Sequence, residues 1–225
     1  MIVIQEWWGV TDQIKTHALK LIGKGYRVLI PDLYKGKIGV DAEEAHHMMS
    51  TLDFENALVE IDAASKYLAD EGSPKIGCMG FCMGGALTLG ATARSPLIVA
   101  GEVFYGSNPG LFEAHQLKNK AIQGHFGAKD VMENFSDVKA AEVLKDLLAK
   151  NGADPSSAVF VYEKVGHSFL NDDPAPYKTF EERKTTLGFP VYDKASADLA
   201  WDRLYVFFAT HLKGLPPSVV TTQAK

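Results

Sequence analysis

Residues Lys75–Leu87 read K-I-G-C-M-G-F-C-M-G-G-A-L, and this stretch decides the fold. An apolar, strand-like run enters glycine, then Cys82, then more glycine, and continues as an apolar segment of helical character. G-x-C-x-G between a strand and a helix is the pattern of a nucleophile elbow. Its central residue is forced into a strained turn, and side chains on the flanking positions would collide with neighbouring backbone. Gly80 and Gly84 fill those positions. A thiol at a helix start is also primed chemically, because the positive end of the helix dipole favours thiolate, the reactive form. The amide of Met83 would point at an oxyanion formed by attack of Cys82. A second donor is expected from the loop after an earlier strand, where Trp7 stands. A phosphate-binding loop does not fit, since neither G-K-[ST] nor G-x-G-x-x-G is present here. Cys78, inside the strand, reads as inert core.

Outward from the elbow, short β-branched and aromatic runs alternate with longer segments of helical period, the signature of a parallel sheet covered on both faces. The strands expected are Ile2–Gln5, Tyr26–Ile30, Lys75–Gly80, Ile98–Tyr105, Ala121–Phe126 and Ala158–Tyr162. Helices are expected near Asp12–Lys24, Phe54–Asp70, Met83–Arg94, Phe135–Asn151 and Ala195–Leu212. Asp12 is a candidate cap for the first helix, Gly25 and Gly152 can close helices, and Pro31 ends a strand. Gly36–Glu44 and Asn171–Tyr192 match no element and are long enough for binding loops or a lid. The tail after Gly214, L-P-P-S-V-V-T-T-Q-A-K, reads as a poorly ordered end or a packed arm. Sheets of this kind usually carry one or two strands before the first one seen here. A longer native chain and a sheet that starts early therefore both stay open.

The 225 residues suit one α/β domain spanning the whole chain, and 46% hydrophobic with 23% charged residues is ordinary globular usage. A net charge of −5 with both signs interspersed disfavours a nucleic-acid surface and suits a protein handling small molecules. The two cysteines, Cys78 and Cys82, form neither a disulfide framework nor C-x-x-C, which points to a reducing, cytoplasmic setting. No signal peptide or membrane span is expected.

Behind such an elbow, acid and base follow in chain order, each on a loop after a later strand. F-G-A-K-D offers Asp130 after the strand Ala121–Phe126, and E-K-V-G-H-S-F offers His167 after Ala158–Tyr162. Both lie where open α/β sheets bind ligands. His167 would take the thiol proton of Cys82 and return one to the leaving group, with Asp130 fixing its tautomer. Among the other histidines His17 reads as a helix residue, His46 and His47 as helix or lid, and His115 and His211 as surface. His125, inside a strand, is the only rival.

Together Q-E-W-W-G, P-D-L-Y, G-F-C-M-G-G-A, Y-G, F-G-A-K-D and G-H-S-F resemble the dienelactone hydrolase family of the α/β-hydrolase superfamily. The resemblance implies a cofactor-free, metal-free hydrolase of small esters or lactones, of the carboxymethylenebutenolidase type, with the triad matching Cys82, Asp130 and His167. It also implies a glutamate, matched by Glu6, that holds the resting thiol until substrate displaces it. A carboxylate beside a thiol disfavours thiolate, so such a residue would guard Cys82 against oxidation. Trp8, Tyr105, Met49 and Phe169 are candidates for the apolar pocket wall.

The match departs at one place. The family's dienelactone-cleaving members hold the substrate carboxylate with two arginines, whose positions fall here near Ala42 and at Asn171. A carboxylate clamp would have to come from Lys35, Lys37, Lys178 or Arg183. The missing arginines favour a broad carboxylesterase for uncharged esters as the alternative within hydrolases. A non-catalytic binding or redox-sensing protein on the same fold is the alternative of another class. The expected partners are a small ester or lactone, with no nucleic acid or membrane, and the expected state is a monomer or weak homodimer.

Overall fold

The computed structural model describes residues 1–216, so the tail from position 217 onward lies outside the described residues. Five parallel strands form one sheet in the order β1 (Ile2–Ile4), β2 (Ile76–Phe81), β3 (Ile98–Phe104), β4 (Ala121–Gly127) and β5 (Ala158–Tyr162). Parallel neighbours need crossovers, and the chain supplies helices: α1 (Asp12–Ile22), α2 (Ala42–Ser50), α3 (Phe54–Asp70), α4 (Met83–Arg94), α5 (Val138–Lys150), α6 (Phe180–Leu187) and α7 (Lys194–Lys213).

Alternation along the strands sends side chains to two faces. Val3, Met79, Phe81 and Phe104 pack with Ile14 and Leu21 of α1 and with Trp201, Leu204 and Phe208 of α7. Ile2, Ile4, Ile76 and Cys78 face the other way, against Leu58 and Ile61 of α3 and Leu87 of α4. Farther along that face Val103, Ile122 and Phe126 meet Leu89 of α4 and Leu144 and Leu148 of α5. Helix α4 is buried along nearly its whole length, which explains a run as apolar and glycine-rich as M-G-G-A-L-T-L-G-A.

Several expectations need correction. Tyr26–Ile30 is no full strand: it joins the sheet edge by one parallel bridge, Ile2 to Leu29, with Val3 N–H donating to Leu29 O and Leu29 N–H to Met1 O. Its partner β1 is three residues long, and Pro31, lacking an N–H, ends the pairing. The cap of α1 is Thr11, not Asp12. Thr11 has extended backbone and its side chain accepts from Ile14 N, whereas Asp12 lies inside the first turn. Helix α5 starts at Val138 behind the cap Asp137, so Phe135 and Ser136 stay in the preceding loop. Both unplaced stretches hold helices: α2 begins inside the first, capped by Asp41, and α6 lies inside the second, ending on left-handed Gly188.

Candidate active site

The sharpest local feature is Cys82 itself, with φ +55° and ψ −118°, a conformation that costs a non-glycine residue strain. The turn is pinned on both sides: Cys82 N–H donates to Phe104 O at 3.0 Å, and Gly85 N–H donates to Cys82 O at 2.9 Å. Strand β1 runs so close to the start of α4 that a Cβ on Gly84 would stand 2.4 Å from Gln5 O. The turn that follows β1, closed by Gly9 N–H donating to Glu6 O, therefore lies beside the elbow and carries Glu6, Trp7 and Trp8. Among the described residues no hydrogen bond uses the main-chain N–H of Trp7 or Met83.

The sheet delivers the partners to the same end. Lys129 N–H donates to Val165 O and Ala128 N–H to Tyr162 O, fastening the loop after β4 to the loop after β5. The first loop carries Asp130 and the second His167. Their contact is 2.8 Å, from His167 Nδ1 to Asp130 Oδ2, with the two residues 3% and 6% exposed. Asp130 Oδ1 is occupied by Met132 N–H, so the carboxylate cannot swing away freely. Cys82 is only 5% exposed, and its charge acts on the His167 imidazole. Burial by itself pulls the His167 imidazolium down, but negative charge on Cys82 and then Asp130 outweigh it, and the ring is pushed up to about 10.

Glu6 is 2% exposed. Asn171 Nδ2 donates to both of its oxygens at 3.0 and 3.2 Å, and Tyr105 Oη donates to Oε1 at 3.3 Å. Burial pushes the Glu6 carboxyl up, and Asn171, His167, Arg183 and Tyr105 work in the opposite direction. Asn171 is in turn aligned by His17, whose Nε2 lies 3.4 Å from Asn171 Oδ1. His17 is therefore more than a helix residue: it is fully buried between Phe81 and Trp201 beneath the site.

Tyr105 and Phe169 meet edge to face at 5.5 Å, and Tyr105 lies 5.2 Å from the His167 ring. Trp8 packs edge-on against Tyr177 at the mouth of the segment that holds α6. Met49 stands apart, half-buried on α2 against the cluster that contains Tyr34 and Met83. Sequence reasoning missed Ser136, a fully buried residue whose Oγ lies 3.1 Å from His167 Nδ1. Only its exclusion from α5 by the Asp137 cap signals it.

His125, the rival histidine, belongs to a separate buried chain. Its Nε2 lies 2.7 Å from Glu102 Oε2 and its Nδ1 2.8 Å from Tyr162 Oη. Burial pushes Glu102 well up and His125 down to about 3. Burial thus disfavours the charged form of both partners of this pair. Cys78 is buried on the opposite face with its thiol pushed up to about 12, in keeping with inert core. Among the described residues no group of three His, Cys, Asp or Glu could hold a metal ion.

A parallel sheet ending in a strained strand-to-helix turn, faced by a histidine–aspartate pair on the later loops, defines an α/β hydrolase, here a hydrolase acting on esters. The dienelactone hydrolase family profile matches residues 1–212, and the chain belongs to that family. Protein usf of Aquifex pyrophilus is 30% identical over 223 residues, covering 94% of this chain and 88% of its own. The carboxymethylenebutenolidase of Pseudomonas putida is 26% identical over 189 residues, covering 79% and 77%. A Klebsiella pneumoniae protein assigned to the dienelactone hydrolases superposes with TM-score 0.74 at 24% identity, covering 92% of this chain and 85% of its own. A dienelactone hydrolase-like promiscuous phosphotriesterase from metagenomic libraries gives 0.70 at 19%, covering 93% and 85%.

Proposed function

We propose that the chain hydrolyses small esters or lactones through an acyl-enzyme on Cys82. The observation that carries this reading is the 2.8 Å His167–Asp130 contact, facing a thiol held at φ +55° on the elbow. His167 takes the thiol proton as Sγ attacks the carbonyl carbon, and the oxyanion is held by the free N–H groups of Met83 and Trp7. As the tetrahedral intermediate collapses, the C–O bond to the leaving group breaks and His167 protonates the departing oxygen. Water then attacks the thioester carbon, His167 takes its proton, and the C–S bond breaks to release the carboxylic acid and restore the thiol. Asp130 keeps the Nε2 side of the ring toward sulfur throughout.

Glu6 acts as the guard in this reading. Its contact with Tyr105, which the Cys82 charge also reaches, supports a carboxylate that opposes thiolate until substrate arrives. Hydrolysis of p-nitrophenyl acetate tests the assignment. Wild type should turn over, and Cys82→Ala and His167→Ala should fall to the uncatalysed rate. A wild type no faster than either variant would refute it.

A further inference from the structure

Among the described residues, two aromatic rings lie against the imidazole of His167. Tyr105, which follows β3, meets it edge-on at 5.2 Å with 62° between the rings. Phe189 meets it at 4.8 Å with 47° between the rings. Phe189 belongs to no helix or strand, yet it is only 9% exposed.

Its neighbours seat it there. Helix α6 ends on Gly188, whose left-handed backbone, φ +73°, lets the chain leave the helix axis just before Phe189. Pro190 packs so closely on the loop of the base that a Cβ on Gly166 would stand 2.7 Å from Pro190 Cδ. Phe180 and Tyr192, on either side of this turn, stack at 5.9 Å and close the segment on itself. Trp8 and Tyr177, with ring centres 6.2 Å apart, join the segment to the turn after β1. Gln13 on α1 accepts from Asp173 N–H and donates to Asp172 Oδ1, both at 3.0 Å.

His167 needs such a cover. Asp130 at 2.8 Å and Ser136 at 3.1 Å hold its Nδ1 edge. Hydrogen bonds at one edge leave the faces of a ring free to tilt and open to water, and only packing removes that freedom. The loops after β4 and β5 supply the edge contacts, and the segment that holds α6 supplies a cover.

We infer that Phe189 is a positioning residue for His167: its ring keeps the imidazole in line with Asp130 and closed to water. The inference rests on the proposed function, in which His167 is the base. The base is then complete only when the covering segment is seated.

Two measurements on Phe189→Ala and Phe189→Leu test it. The Nδ1 proton of a water-excluded histidine–aspartate pair gives a slowly exchanging downfield proton NMR signal, assigned to His167 by its absence in His167→Ala. The signal should be present in wild type and Phe189→Leu and lost to exchange in Phe189→Ala. On p-nitrophenyl acetate, kcat should fall about tenfold or more in Phe189→Ala, with KM changed by less than about twofold. Phe189→Leu keeps an apolar cover and should lose less than about threefold. The inference is overturned if either the signal or kcat of Phe189→Ala stays at its wild-type value, and equally if wild type shows no protected signal. If wild type cleaves no ester, the hydrolytic reading fails, while the proton signal still decides whether Phe189 covers His167.

Discussion

Gly80 and Gly84 touch backbone to backbone: a Cβ added to Gly80 would stand 2.2 Å from the Gly84 carbonyl oxygen. Gly84 is equally confined by Gln5 O, so the elbow is held between its own helix and the neighbouring strand. Gly84→Ala should cost more than about 2 kcal/mol by urea unfolding, because only backbone could move to make room. Gly110→Ala serves as comparison. There the nearest atom is the Asn108 side chain at 3.1 Å, and the cost should stay under about 1 kcal/mol. Similar losses at both positions would show that the elbow is not the tight point.

Asp130→Asn should lower kcat on p-nitrophenyl acetate by roughly 10²–10⁴, since an amide can hold His167 in the wrong tautomer. Ser136→Ala removes only the second contact at Nδ1, 3.1 Å away, and should cost about tenfold or less. Stopped-flow or steady-state rates would separate the two. A serine variant as damaged as the aspartate variant would make Ser136 the principal orienting group.

His17 is held neutral: burial, with Lys20 adding to it, pulls its pKa down to about 3. An unfolded histidine takes a proton below about 6.5, and the folded one refuses it until about 3. Stability present above pH 6.5 is therefore lost as pH falls toward 3. Compared with His17→Gln, wild type should lose about 1.4 kcal/mol more per pH unit below pH ~6. Denaturant unfolding at several pH values measures this, and parallel curves would remove His17 from the pH dependence.

If Glu6 guards the thiol as proposed, Glu6→Ala makes Cys82 react faster with iodoacetamide in the resting state, because a carboxylate that opposes thiolate is then gone. Mass spectrometry of the alkylated peptide separates Cys82 from Cys78, which is fully buried. An unchanged Cys82 rate would leave Glu6 a structural anchor for Asn171 and Tyr105.

The elements that sequence reasoning located best are those fixed by local pattern. Phe54–Asp70 and Met83–Arg94 coincide with α3 and α4, and Ala158–Tyr162 with β5. Periodicity and glycine spacing act over a few residues and survive without tertiary context. Tyr26–Ile30 failed as a strand because pairing depends on the partner, and β1 offers only three residues. The helices α2 and α6 escaped notice because they are short and show mostly polar faces, leaving little apolar period to read.

The elbow, and the order in which Asp130 and His167 follow Cys82, are properties of the sequence alone, because a strand, a strained turn and a helix are specified by adjacent residues. The sheet then had only to bring successive loop ends together. What Asn171, His17 and Ser136 contact was decided by tertiary structure. Asn171 meets Glu6 across 165 positions of chain, and His17 meets Asn171 across 154. No local pattern encodes such contacts: a helical histidine and a loop serine read as ordinary polar residues until burial removes water and leaves their hydrogen bonds to be satisfied by whatever the fold places beside them.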